Sequence, residues 1–223
     1  MIHEWLLATD GNSASVRVFL FDYRKAFHFI DHRTLAAKRN EVEVPNSIVS
    51  LTGSWTSSQI GPREWKLSRD FLSEWGAVPA GVPQGTKLGP WLLLLMINDL
   101  VTPSALFGDW KYVDDTTFSK KVPKGQQSRA QEAVDHVSNW SAENLFQLNL
   151  DWEKTKQLSI SFCRSPEHFD PVTVEWTQIQ ATPTSSNLLG LIINNTLTWN
   201  DHVDSLIKKA AGRRSCRLLL RMY

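Results

Sequence analysis

The 223-residue sequence predicts an α+β fold: an antiparallel sheet with acids at its strand ends, backed by helices. Three features predict it. An apolar run from Val16 to Phe21 ends on Asp22, and two β-prone arms flank the doublet Asp114-Asp115. Helix-like apolar segments follow at Leu88 to Leu100 and from Ala130 onward. With 42% hydrophobic residues the chain suits one or two packed domains rather than a disordered segment. The longest strongly apolar run, Trp91 to Ile97, is too short for a membrane span, and Met1 to Asp10 lacks a basic start and an apolar signal core. A cytosolic or nuclear location without a membrane partner is therefore expected. Cys163 and Cys216 make neither a disulfide framework nor a zinc spacing. Nothing in the pattern sets an oligomeric state.

In chain order, Val18, Leu20 and Phe21 argue for a strand buried on both faces, since alternation is incomplete. Asp31 or Thr34 starts a short helix toward Lys38. Between residues 45 and 80, Pro45, Gly53, Gly61 and Pro62 break any long element, and Trp55, Trp65 and Trp75 keep no period. The turn Pro83-Gln84-Gly85-Thr86-Lys87-Leu88-Gly89-Pro90 opens into a buried helix over Leu88 to Leu100, with a break near Pro103. Trp110, Tyr112 and Val113, then Thr116, Thr117 and Phe118, form a hairpin with the acids at its turn. Ser128-Arg129-Ala130-Gln131 reads as a capping box for a helix that turns Ala130, Ala133, Val134, Val137, Trp140 and Ser141 inward and Gln131, Glu132 and Asp135 outward. Leu158, Ile160 and Phe162 alternate as a strand, and Leu188 to Ile193 reads as another.

The C-terminal segment is basic. From His202 to Tyr223 the charge is +5, which leaves −4 for the rest of a chain whose net charge is +1. Lys208, Lys209, Arg213 and Arg214 share that segment with Val203, Leu206, Ile207 and Ala210 in an approximate helical repeat. It reads equally as a solvated helix face or as one that grips nucleic-acid phosphates.

Neighbouring carboxylates repel, so keeping Asp114 and Asp115 both ionised calls for cations. Oxygen-only ligands suit Mg²⁺ or Mn²⁺ rather than zinc. By itself an Asp-Asp pair is ordinary turn chemistry. Asp22 strengthens the case, because an acid at the exit of a buried strand is costly unless partnered. Placed beside Asp114 it completes a carboxylate pair able to hold two metals roughly 3.5–4 Å apart, the arrangement that bridges attacking and leaving oxygens in phosphoryl transfer. His28, Asp31 and His32 could be misread as a metal cluster, but no further ligand is near in sequence and a satisfied structural His is commoner.

The ordered motifs Asp22-Tyr23-Arg24-Lys25-Ala26-Phe27, Val82 to Pro90, Ile97-Asn98-Asp99-Leu100 and Lys111-Tyr112-Val113-Asp114-Asp115 resemble those of reverse transcriptases from non-LTR (LINE-type) retrotransposons. The resemblance continues from Leu188-Leu189-Gly190-Leu191 through Asn200-Asp201-His202-Val203, the segment that joins palm to thumb in that family. It implies a right-hand polymerase palm over residues 1–200, with partial fingers at about 33–80 and the beginning of a thumb helix at 201–223. It also implies an RNA-directed DNA polymerase that uses Mg²⁺ or Mn²⁺, an RNA template with a DNA primer, and dNTPs. By the same resemblance Asp22 and Asp114 ligate metal, with Asp115 joining or supporting them, and the carbonyl of Tyr23 assists. Phe27 is the steric gate against a ribose 2′-hydroxyl, and Gln84 and Gly85 line the nucleotide pocket. Lys154 or Lys156 aids pyrophosphate departure, although Asn149 to Lys154 is longer than the family's usual spacing.

Asp22 is preceded by 21 residues, so the fingers that normally hold the triphosphate are expected to be missing and the thumb cut short. The alternative is a catalytically inactive retrotransposon remnant serving as a nucleic-acid-binding or interaction module, which the irregular 45–80 region and near-neutral charge favour.

Overall fold

The computed structural model describes residues 1–10, 14–42, 74, 80–82, 88–102, 107–151, 153–163, 169–182 and 184–219, excluding the side chains of Leu88, Phe107 and 213–219. Most of the 45–80 interval, together with Gln84 and Gly85, lies outside the described residues.

Five strands form the main sheet: β1 (Ser15–Phe21), β2 (Phe107–Tyr112), β3 (Asp115–Val122), β4 (Lys156–Ile160) and β7 (Gln180–Thr182), in the order β2-β3-β1-β4-β7. β1 runs antiparallel to both β3 and β4, whereas β4 and β7 are parallel. Every residue of β1 is buried, as its lack of clean alternation foretells. Its two faces serve two cores.

Phe19 and Phe21 join Phe118 in the larger core, beneath α4 (Leu88–Ile97) and α5 (Ala130–Glu143). Val16, Val18 and Leu20 join Leu158 and Ile160 in the smaller one, against Trp5 of α1 (Ile2–Thr9) and the hairpin of β8 (Ser185–Leu188) and β9 (Leu191–Asn194). Trp5 meets Trp110 edge to face, with ring centroids 5.9 Å apart. Fully burying one such large apolar side chain contributes about 1.5–3 kcal/mol. Arg17 lies on the larger core's side of β1, where its guanidinium donates to Gln157 Oε1 at 2.6 Å and to the Asp170 carbonyl at 3.1 Å. Burial pulls its pKa down to about 10 against the opposing pull of Asp170.

The inward face foreseen for α5 holds at all six positions, from Ala130 to Ser141. Its capping box does not form, because the N-cap is Arg129 without a side-chain bond. Gln131 instead exchanges two bonds with the Thr173 backbone, donating to its carbonyl at 2.7 Å and accepting from its N–H at 3.0 Å. These dock β5 (Thr173–Val174), whose hairpin partner is β6 (Thr177–Gln178), onto the helix. Two bonds from one amide outweigh a single reach back to the N-cap.

Leu188 to Ile193 is not one strand but the tip of the β8–β9 hairpin, turning at Leu189 (φ +49) and Gly190 (φ +82). Positive φ at both central residues is the geometry that follows the natural twist of a hairpin. Phe162 lies beyond β4 and is exposed. The buried helix α4 ends at Ile97, three residues short of Leu100. α1 and β7 carry no signal of their own in the sequence pattern.

α2 (Ala26–Phe29) and α3 (His32–Glu41) follow β1. Asp31 caps α3, accepting from the Thr34 N–H at 2.8 Å. α6 (Asn200–Leu219) leaves directly after β9, where Asn194 donates to Thr198 and to Asp201. Among the described residues no helix is long and apolar enough to cross a membrane.

Candidate active site

Strand alternation decides where each residue after β1 points. Phe19 and Phe21 look toward the helices and Val18 and Leu20 toward the other core, so Asp22 emerges on the Leu20 side and Tyr23 on the helical side. Tyr23 is indeed buried, its ring 5.3 Å from that of Phe146, and burial pushes its hydroxyl pKa up to about 12. Only its backbone is left for the site.

The β1–β3 register then supplies the partner for Asp22. Phe21 faces Thr116 in the last pair of that register, and Asp22 and Asp115 are the residues immediately beyond it. Tyr112 pairs with Asp115, so the hairpin turns through Val113 and Asp114. Val113 has φ +55, a left-handed conformation that costs a β-branched residue about 1–3 kcal/mol. Packing of Val113 against the larger core offsets that strain and holds the doublet in place.

Asp22 and Asp115 open into a cleft of about 740 Å³. Lys154 and Lys156 line it as well, together with the hairpin tip Leu189-Gly190. The Asp115 carboxyl is held above its ordinary range, first by burial and then by the like charges of Asp114 and Asp22, with Lys154 acting in the opposite direction. Asp114, at the turn, is not among the residues that line the cleft.

Two bonds orient Asp22. The Asn149 side-chain amide donates to Oδ2 at 2.9 Å, and the Asn149 backbone N–H donates to the Asp22 carbonyl at 2.8 Å. The Asp22 N–H points at Thr155 Oγ1 over 3.4 Å. Sequence reasoning assigned nothing to Asn149, Thr155, Leu189 or Gly190 at this site. The only hint was the Asn149-to-Lys156 wording, which spacing alone did not connect to Asp22.

Among the described residues no three His, Cys, Asp or Glu side chains converge into a closed metal-binding set. Mg²⁺ does not need one, because it is commonly held by one or two carboxylates, with waters and substrate phosphates completing its octahedron. The oxygen donors, the mutual repulsion at Asp115 and the open cleft fit a divalent cation of this kind.

Other singled-out residues fall as follows. Phe27 in α2 is half-buried against the larger core, and its carbonyl accepts from the Val82 N–H at 2.8 Å. Gly81 (φ +92) makes this approach possible, since a Cβ there would stand 3.0 Å from the His28 carbonyl. The segment leading into Pro83 thus passes directly beside Phe27. Asp31 is engaged in its helix cap, whose bonds with Thr34 lower its pKa, and His32 Nε2 lies 2.8 Å from the Gly81 carbonyl. His28 is exposed. Lys208 and Lys209 are exposed on α6 and are not among the residues that line the cleft, while the side chains of Arg213 and Arg214 are outside the described residues.

A sheet that delivers Asp22 from the end of its central strand and Asp115 from the adjoining hairpin to a common cleft, with Asp114 at the hairpin turn beside it and helices covering the other face, is the palm of a right-hand polymerase. The chain belongs to the family described as reverse transcriptase (RNA-dependent DNA polymerase), whose sequence model matches residues 6–193. It is 26% identical over 211 residues to a probable RNA-directed DNA polymerase from transposon X-element of Drosophila melanogaster, covering 92% of this chain and 22% of the relative. It is 24% identical over 195 residues to the RNA-directed DNA polymerase from mobile element jockey of Drosophila funebris, covering 83% and 20%. The chain therefore spans about a fifth of the length of these relatives. Its fold is similar to that of apo telomerase from Candida tropicalis truncated from its C-terminal domain, with a TM-score of 0.57 and 16% identity over 88% of this chain and 37% of that one.

Proposed function

We propose that this chain is the palm of an RNA-directed DNA polymerase, which joins a dNTP to the 3′-hydroxyl of a DNA primer on an RNA template. The observation that carries the proposal is the meeting of Asp22 and Asp115 in one cleft with Lys154, with Asp114 next to Asp115 at the hairpin turn. Asp22 and Asp114 hold the divalent cation, Mg²⁺ or Mn²⁺, and Asp115 adds charge or a further ligand. When bound, the cation would lower the pKa of the primer hydroxyl and neutralise charge at the α-phosphate.

The remaining residues bind and orient. Phe27, five positions after Asp22 and beside the segment leading to Gln84 and Gly85, presses against the sugar and excludes a 2′-hydroxyl. The backbone of Tyr23 borders the same site. Lys154, which faces Asp115 electrostatically, donates a proton to the departing pyrophosphate, and Lys156 lines the same cleft on β4. Lys208 and Lys209, with Arg213 and Arg214 further along α6, follow template or primer phosphates as the first thumb helix. Such a polymerase works in the nucleus or cytoplasm, where RNA template and dNTPs meet.

Primer extension tests the reading. With a primed RNA template, dNTPs and Mg²⁺, Asp114→Ala should remove extension while leaving the melting temperature close to that of the unaltered chain. Extension undiminished by Asp114→Ala would overturn the assignment.

A further inference from the structure

We infer that Asn149 is a positioning residue for the carboxylate of Asp22. The inference rests on the polymerase reading above and deepens it.

The direction of the amide follows from its neighbours. Asn149 Oδ1 accepts from the Asp151 N–H at 3.4 Å, which leaves Nδ2 as the end that donates to Asp22 Oδ2 at 2.9 Å. One carboxylate oxygen is thereby held, and the other is left for a cation. A neutral donor suits this task better than a lysine or arginine would, because it orients the carboxylate without discharging it or competing with a divalent ion. The backbone bond from Asn149 N–H to the Asp22 carbonyl secures the same pair at a second point. Adjoining residues extend the join: Arg24 N–H donates to the Gln147 carbonyl at 2.8 Å, and Tyr23 bridges Leu148.

The other end of the loop returns to the same aspartate. Thr155 is buried, and its hydroxyl oxygen faces the Asp22 N–H. Between these anchors, the N–H groups of Lys154 and Thr155 both turn back to the Asp151 carbonyl, at 2.8 and 3.1 Å. Asn149 and Thr155 thus both anchor on Asp22. Lys154, between these anchors, lines the cleft.

The test measures cation binding directly. Free Mn²⁺ is titrated against the full chain and followed by its paramagnetic resonance signal, alongside the Mg²⁺ dependence of primer extension. Asn149→Leu keeps the volume and removes the donor. It should raise the Mn²⁺ dissociation constant and the Mg²⁺ activation constant by about 10- to 100-fold, the loss typical of removing a partner of a metal-ligating side chain. The KM for dNTP should change much less. Asn149→Ala, which adds no bulk, serves as a second variant and should show the same loss. If either variant folds and binds Mn²⁺ within twofold of the unaltered chain, the inference is overturned. Asp114→Ala in the same titration separates the two readings. Loss of Mn²⁺ binding and extension in Asp114→Ala but not in the Asn149 variants refutes only the positioning role, whereas full extension by Asp114→Ala removes the polymerase reading itself.

Discussion

Replacing Lys38 tests whether the helices behind the site are joined by one buried ammonium. Lys38 is only 8% exposed; its Nζ donates to the Met96 carbonyl at 2.7 Å and to Asp99 Oδ1 at 2.6 Å, and lies 4.7 Å from the ring centroid of Trp140. It thereby links α3, the end of α4 and α5. Lys38→Ala leaves the Met96 carbonyl without this donor, at about 1–3 kcal/mol, and loses a cation–π contact of about 1 kcal/mol. Removing the packed methylene stem costs about 1–2 kcal/mol more. Asp99 is 48% exposed, so the ion pair itself adds less than about 1 kcal/mol. Because these terms share one side chain they do not add independently, and a total of about 3–5 kcal/mol is expected. That corresponds to a fall in Tm of about 10–15 °C for a chain of this size. Lys38→Met retains the stem and should lose only about 2 kcal/mol. Urea unfolding and thermal melts followed by circular dichroism measure both. Function should respond as well, since Lys111 donates to the Asn98 carbonyl at 3.0 Å and directly precedes Tyr112 of the Asp114 hairpin. Folded Lys38→Met should therefore extend primers more slowly. A Lys38→Ala chain within about 1 kcal/mol of the original would refute the clamp.

Two further outcomes follow from the site. Phe27→Val should raise incorporation of ribonucleotides relative to deoxyribonucleotides in primer extension by about tenfold or more, the order expected when a packed side chain stops rejecting one added group; unchanged sugar selectivity would count against the gate. Asp115→Asn in chelator should raise the Tm by about 1–3 °C at neutral pH, by removing one of several facing like charges. The sign follows from the raised carboxyl: the folded chain holds that proton more tightly than the unfolded one, so stability falls as pH rises from 3.8 through the raised folded value. The difference between the two chains should accordingly vanish below pH 3.8, and a constant difference across that window would show that Asp115 does not titrate as described.

Much of the fold is legible because its signals are local. The inward face of α5 follows from helical spacing, and the strand ending at Phe21 and the hairpin around Asp114 follow from apolar runs broken by acids. The failures are equally physical. Ser128 has the chemistry of a cap, but Gln131 finds better partners on Thr173, some forty residues away in sequence. The β8–β9 turn is hidden inside an apolar stretch, because Leu189 supplies none of the usual turn chemistry in its first position. β7 is three residues long and owes its place to parallel pairing with β4 rather than to any pattern of its own.

The candidate site divides the same way. From sequence alone come the acids themselves, their order along the chain and the strand or turn on which each sits, since residue identity and short-range periodicity are local properties. Only the tertiary structure decides that Asp22 and Asp115 line one cleft, that Asn149 holds one oxygen of Asp22, and that Lys154 shares the cleft. Those relations depend on strand register and on bonds between residues more than a hundred positions apart. No local pattern encodes such pairings; they are selected by which packing buries both faces of β1 at once.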